Sequence, residues 1–434
     1  MEQDKQDNDQ SNLMMNKKMS RRDMLRLAGV GSVGLLLGGS AMGSILSSQE
    51  KTVANSSTIL SKDQDSIPFY GAHQAGIITP SQNFICFAAF DVVSDNVSDI
   101  RKMFQKWTTA AVSIASGSLI GNVNDNPNLP PTDTGEAAEL SPSRCTITFG
   151  VGPSLFDARF GLQNRRPPSF QELPLFKADS LEPEWCGGDL CVQVCADDLQ
   201  VAFHAIRNLA RIARGTAVLR WTQEGFQRST QADPTSATPR NLLGFKDGTA
   251  NPDVTDNKLM NEVVWNQSID GTGWMTGGSY MAVRRVRMRI EVWDRSTLRD
   301  QENTFGRHRH TGAPLGSKDE FDTLKLDELD SKGQPVIPTN SHVALAHGDG
   351  SIQMLRRSYS YSSGMDLKTG QLDAGLLFIS FQRDLQKQFI PIQQRLANND
   401  LLNEYAVHKG SAVFACFPGT TEGGFIGETL FGAM

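Results

Sequence analysis

No Cys-x-x-Cys pair and no Cys-x-x-Cys-His run occurs anywhere in the 434 residues. That excludes the common structural zinc patterns and the covalent attachment of c-type haem. Cysteine is scarce altogether: Cys86, Cys145, Cys186, Cys191, Cys195 and Cys416. Six in so long a chain is too few for a disulfide framework, and Cys191 and Cys195, four apart on an expected strand, face one side and read as core residues. Positive charge is not in excess either. Lys and Arg total 42 against 48 Asp and Glu, so there is no phosphate-binding footprint and nucleic acid is not an expected partner. The apolar run from Leu27 to Leu37 is short and glycine-rich, too short for a confident membrane span.

What stands in front of that run is informative. Ser20-Arg21-Arg22-Asp23-Met24-Leu25 places paired arginines directly before a short apolar segment, with small residues at Ala41-Met42-Gly43. This reads as a twin-arginine export signal, with a cleavage site or a retained anchor both open. The route carries folded proteins, often with a cofactor already inserted. It implies a periplasmic, cell-envelope or extracellular location. Residues 1–48 are taken as the signal region and the Ser-rich, aperiodic 49–66 as a linker.

The body divides into 67–225 and 226–434. In the first part, strands are predicted at Phe84–Val92, Cys145–Phe149, Leu190–Cys195 and Ala217–Trp221, with helices at Val97–Ala115 and Leu199–Ala213. Ile100, Met103, Phe104, Trp107 and Ala111 form the inward face of the first helix. The order strand, helix, strand, strand, helix, strand is that of a ferredoxin-like unit. The second part reads as a less regular copy, with strands near Ser279–Val292, His342–Ala346, Gln353–Tyr359 and Gly375–Phe381 and a helix near Leu385–Ala397. The fold class is α+β: two ferredoxin-like domains with antiparallel sheets and peripheral helices. Asn126–Thr132 and Gly271–Gly278 are loops.

Three segments carry chemistry. In Gly244-Phe245-Lys246-Asp247-Gly248-Thr249-Ala250-Asn251-Pro252 two glycines bracket an Asp, which suits a tight turn close to a planar ligand and a proton-shuttling carboxylate; from spacing alone an ordinary Asp-Gly turn is the plainer reading. His342 opens an apolar stretch, where a structural histidine is the plain alternative. Arg356 and Arg357 interrupt another, and a buried guanidinium calls for an anionic partner. Asp384 follows a strongly apolar strand and also suits a helix N-cap before Leu385.

Taken in order, these segments resemble the DyP-type (dye-decolorising) haem peroxidases, and within them the twin-arginine-exported EfeB-type deferrochelatase/peroxidases. The family's GxxDG hallmark is Gly244-Phe245-Lys246-Asp247-Gly248, and its downstream His and double Arg are His342 and Arg356-Arg357. Pro68–Ile77, Thr311–Gly316 and Gly410–Cys416 extend the similarity over nearly everything from Ile67 onward.

The resemblance implies non-covalent haem b, one per chain, in the dimeric α+β barrel type of fold, held mainly by the second domain. His342 is the implied iron ligand. Asp247 is the implied catalytic acid–base and Arg356 the catalytic arginine, with Arg357 as second choice. Gly248, Thr249 and Ala250 are expected along the haem, and Asp384 as acceptor of the other ring N–H of His342. Relatives often carry Asn-Pro-Arg where this chain has His347-Gly348-Asp349, so His347 is a second haem-contact candidate and a rival ligand to His342.

The implied partners are hydrogen peroxide, an organic reductant, other components of an iron-uptake system and, by resemblance alone, a second copy of the chain. Release of iron from intact haem, non-catalytic haem carriage and a haem-free binding module are the competing readings. An aspartate in place of a distal histidine titrates near 4 rather than about 6.5, which predicts an acidic activity optimum.

Overall fold

The computed structural model describes residues 65–432 other than 123, 125, 230–237 and 272. The export signal and most of the expected linker lie outside the described residues. Nine strands are described: β1 Phe84–Val92, β2 Thr146–Val151, β3 Leu190–Ala196, β4 Ala217–Phe226, β5 Ser279–Met288, β6 Leu355–Arg356, β7 Tyr359–Met365, β8 Leu372–Gln382 and β9 Ala406–Cys416. The helices that matter to the argument are α1 Val97–Ala115, α2 Leu199–Ile212, α3 Leu298–Phe305, α4 His342–His347 and α5 Ile390–Asn399.

The strands form one sheet in the order β5-β9-β2-β3-β1-β4-β7-β8-β6, and β5 also pairs with β8. Eight of them therefore close into a barrel, with β6 attached beside β8. Each half keeps the ferredoxin-like order: β4-β1-β3-β2 in the first and β9-β5-β8-β7 in the second. Within a half the ladders are long, with β5 and β9 paired from Ser279↔Cys416 to Met288↔Ala406. Between halves they are short: Gly150↔Cys416 and Val151↔Ala415 on one seam, Phe226↔Ser360 on the other.

Alternation along each strand explains the two large cores. Ile85, Phe87, Ala89, Cys191, Cys195, Met281, Val283, Leu377, Ile379, Phe381, Phe414 and Cys416 fill the barrel interior. The opposite faces, such as Cys86, Ala88, Phe90 and Val192, pack with Trp107 of α1 and Leu209 of α2. Helix α1 starts where predicted because Asn96 accepts from the Ser98 N–H, and Trp107 donates to Leu209 O at 2.8 Å, tying α1 to α2. The Pro-rich loop is pinned to α2 by His204 Nε2 with Asp133 Oδ1 at 2.8 Å and by Asn208 Nδ2 donating to Thr134 Oγ1 at 2.7 Å. All six cysteines are free thiols, five of them buried.

The second half departs from expectation in four places. The strand expected over Ser279–Val292 ends at Met288, and Ile290–Trp293 is a helical turn. His342–Ala346 is helix, not strand. A five-residue apolar run does not distinguish the two by periodicity; Ser341 stands in extended backbone at the N-cap and Gly348 at positive φ ends the turn. The strand expected over Gln353–Tyr359 breaks at Arg357 and Ser358 into β6 and β7. The strand β9, eleven residues long, was not predicted.

His408 on β9 is held between Arg284, whose Nε donates to its Nδ1 at 3.4 Å, and Gln393. Burial, then the Arg284 charge and then His342, push its pKa down to about 3. The unfolded imidazole takes up its proton near 6.5 while the folded one does not until about 3, so folded-state stability is lost as pH falls through that window. His408→Asn should flatten the acid limb of a denaturation-midpoint-versus-pH curve measured between pH 3.5 and 7; an unchanged limb contradicts this assignment.

Candidate active site

The site lies on the outer side of β6, where the loop after β4, helix α4 and the strand-edge arginine converge. The 241–248 turn is built locally. Asn241 Oδ1 accepts from Leu243 N at 3.1 Å and Phe245 N at 3.2 Å, and Asp247 N donates to Pro239 O at 2.9 Å. Gly244 and Gly248 sit at φ +85° and +125°, backbone that side-chain-bearing residues rarely adopt, which is why the motif has glycine on both sides of Asp247. Phe245 anchors the turn, stacking on Phe305 of α3 with centroids 4.1 Å apart. Phe305 in turn meets the His342 ring edge-on at 6.0 Å, so one aromatic connects the Asp247 turn to the histidine.

Arg356 Nη1 donates to Asp247 Oδ1 at 2.8 Å, and each side chain remains about a quarter exposed. Arg357 points the other way, as successive strand residues do. It is 3% exposed, and its guanidinium donates to Thr79 O and Gln82 Oε1 at the barrel end. The geometry thus separates the two arginines: Arg356 faces Asp247 and Arg357 belongs to the barrel.

His342 Nδ1 lies 2.7 Å from Asp400 Oδ2. Asp400 is nearly buried, and its other oxygen accepts from Leu402 N at 2.8 Å. In the neutral ring a carboxylate there takes the proton on Nδ1 and leaves the lone pair on Nε2. Desolvation opposes a charged ring, but the Asp400 charge and hydrogen bond outweigh it and raise the His342 pKa; Asp247 adds to the rise and Arg356 opposes it. All three side chains therefore share one electrostatic neighbourhood.

Asp384 is not the partner of His342. Its carboxylate accepts from Gln386 N at 2.8 Å and Lys387 N at 3.2 Å and caps the helical segment that begins at Leu385, because it follows β8 directly and those free N–H groups are its nearest donors. Asp400, at the far end of α5, occupies the position expected of it. The sequence held one signal, an Asp closing the Asn398-Asn399-Asp400 run, but nothing in linear spacing connects it to residue 342.

His347 is exposed at the end of α4. Five residues from His342 at about 100° each, it projects roughly 140° around the helix and does not share the His342 face. Thr249 donates its hydroxyl to Glu320 Oε1 at 2.8 Å, and Glu320 also pairs with Lys246. Gly248 stands at the turn and Ala250 is exposed.

These residues fit a haem. None of α4 is buried, although Val343, Ala344, Leu345 and Ala346 are all apolar. A helix with an apolar flank left half-open beside an imidazole with a free Nε2 suits a flat apolar macrocycle bearing a metal.

Residues 74–227 match the model of the Dyp-type peroxidase N-terminal domain and 238–421 that of its C-terminal domain. The chain is 40% identical over 412 residues to a deferrochelatase of Escherichia coli K12, covering 93% of this chain and 94% of that protein. A deferrochelatase of Shigella boydii is likewise 40% identical, covering 95% and 96%. Among solved structures, a DyP-type peroxidase from Cellulomonas bogoriensis superposes with TM-score 0.77 at 37% identity, covering 84% of this chain and 98% of that one. Ferric DtpA from Streptomyces lividans does so at 0.79 and 35%, covering 85% and 97%.

Asp400→Ala should lower haem retention, measured as the Soret-to-protein absorbance ratio after gel filtration. Asp384→Ala should leave that ratio unchanged and cost about 1 kcal/mol of stability as a lost N-cap. The opposite pattern would return the histidine partnership to Asp384.

Proposed function

The chain belongs to the Dyp-type peroxidase family, and from that premise we infer that it is a haem enzyme that reduces hydrogen peroxide beside the Asp247–Arg356 pair and oxidises an organic donor. The observation that carries this reading is the shared neighbourhood of His342, Asp247 and Arg356, brought together from three segments. His342 would hold the iron through Nε2, with Asp400 making the imidazole a stronger donor. Haem held there would supply the two-electron redox chemistry between peroxide and the organic donor. The remaining chemistry falls to side chains. One peroxide oxygen must lose a proton and the other must gain it, and the Asp247 carboxylate moves that proton. Arg356 opposes the negative charge that grows on the departing oxygen. Their mutual hydrogen bond fixes both before peroxide arrives.

Asp247→Asn should keep haem and slow peroxide-dependent dye oxidation by about a hundredfold or more. His342→Ala should lose haem or shift its Soret band. An Asp247→Asn enzyme of wild-type rate, or a His342→Ala protein with an unchanged spectrum, overturns the corresponding role.

A second reading has its own support, since the 40% identical relatives are named deferrochelatases. The same pocket would then release iron from haem and leave the porphyrin whole, in the setting of an extracytoplasmic iron-uptake system. The products separate the two: free protoporphyrin marks iron release, whereas oxidised dye with haem retained marks peroxidase turnover.

Export by the twin-arginine route is supported by Arg21-Arg22 before the apolar run. Replacing both with Lys should hold the full chain in the cytoplasm on fractionation, and unaltered export would exclude that route.

A further inference from the structure

Asn251 grips the Arg356 backbone with both ends of its amide. Nδ2 donates to Arg356 O at 2.7 Å, and Oδ1 accepts from Arg356 N at 3.0 Å. This is the hydrogen-bond pattern of a neighbouring strand, supplied by one side chain. The location explains the need. β6 is two residues long and ends the strand order, paired only with β8. Arg357 N turns toward β8, donating to Ile379 O at 2.8 Å, so the N–H and C=O of Arg356 face outward with no strand to meet them. Such groups need a partner.

Asn251 is itself fixed by the turn that carries Asp247, its N–H donating to Gly248 O at 2.9 Å. A closed circuit results. It runs from Asp247 through Gly248 to Asn251, across the amide pair to the Arg356 backbone, and out along the Arg356 side chain to Asp247 Oδ1.

We propose that Asn251 is a positioning residue for peroxide reduction: its amide locks the edge strand to the Asp247 turn and so sets where the Arg356 guanidinium stands. This rests on the reading of Arg356 given above. It concerns neither haem ligation nor donor oxidation, so only the peroxide-dependent step should respond.

Two experiments on the full chain test it. In the apoprotein, hydrogen–deuterium exchange should show the residue 356 amide exchanging at least tenfold faster in Asn251→Ala, and at the wild-type rate in Arg356→Ala, whose backbone keeps the clamp. In the haem-loaded protein, stopped-flow mixing with hydrogen peroxide should be about tenfold slower or more in Asn251→Ala, at unchanged haem content. The double variant Asn251→Ala/Arg356→Ala should be no slower than Arg356→Ala alone. Asn251→Asp, which keeps the acceptor and loses the donor, serves where the alanine variant does not fold, and should fall between wild type and Arg356→Ala.

Additive losses in the double variant would make Asn251 a structural residue only and overturn the proposal. So would a wild-type peroxide rate in Asn251→Ala when Arg356→Ala is slow. If Arg356→Ala itself reacts at the wild-type rate, the role of Arg356 fails and the positioning role fails with it, whatever the exchange data show of the clamp.

Discussion

The hydrogen bond between Asp400 and His342 is the constraint on which the site depends. A carboxylate with so little solvent is costly to keep ionised without donors. Asp400 has two, the Leu402 amide and the His342 ring, and the second fixes the tautomer of the imidazole. Were the proton on Nε2 instead, the ring would present a donor where a metal needs a lone pair, and the apolar flank of α4 would have no chemical purpose. The helix is short, unburied and closed at its C-terminus by Arg395 on the Leu345 carbonyl at 2.9 Å. Its ring is therefore oriented by Asp400 and by the aromatic edge of Phe305 rather than by burial of the helix itself.

The barrel explains why one half carries the site. Both halves have the same strand order, and both use alternation to separate an interior core from a helix-covered exterior. The first half connects its strands through α1 and α2, which cover the sheet with apolar faces. The second half replaces the equivalent of α1 with the long excursion from Arg289 to Met354, which contains α3 and α4, and it is in this excursion that His342 is presented. The candidate site thus lies where a covering helix is exchanged for irregular chain, the usual relation between loops and sites on a rigid scaffold.

Much of this was legible in the sequence. The elements of the first half read correctly because their apolar spacing is strong and their ends are marked, as at Asn96 and Asp198. The Gly-bracketed Asp247, the Arg pair and His342 were legible as motifs, and the resemblance supplied their order. What escaped was three-dimensional. The 342–346 run is too short for its period to decide between helix and strand. The strand β9 mixes half-buried and buried positions without alternation and carries a bulge opposite Arg285 and Val286. Asp384 and Asp400 are both helix-terminal aspartates sixteen residues apart, and only the path of α5 decides which one returns to His342. Asn251, inside a recognised motif, carried no reading of its own, because its partner is backbone 105 residues away.

The opposed directions of Arg356 and Arg357 carry a consequence for how such chains diverge. A two-residue strand has no spare length to absorb an insertion, and its face is set by the pairing of Leu355 with Phe381 and Arg356 with Ser380, by the Arg357 N–H on Ile379 O and by the Asn251 amide on the Arg356 backbone. A slip of one position would send the outward guanidinium into the barrel end and bring the inward one out, exchanging the charge that faces Asp247 with the one that faces Thr79 and Gln82. The stretch between α4 and β6 could thus be shortened or lengthened only in ways that deliver Leu355 to the same neighbour. Parity along that strand, more than the identity of the residues in the loop before it, decides which guanidinium meets Asp247.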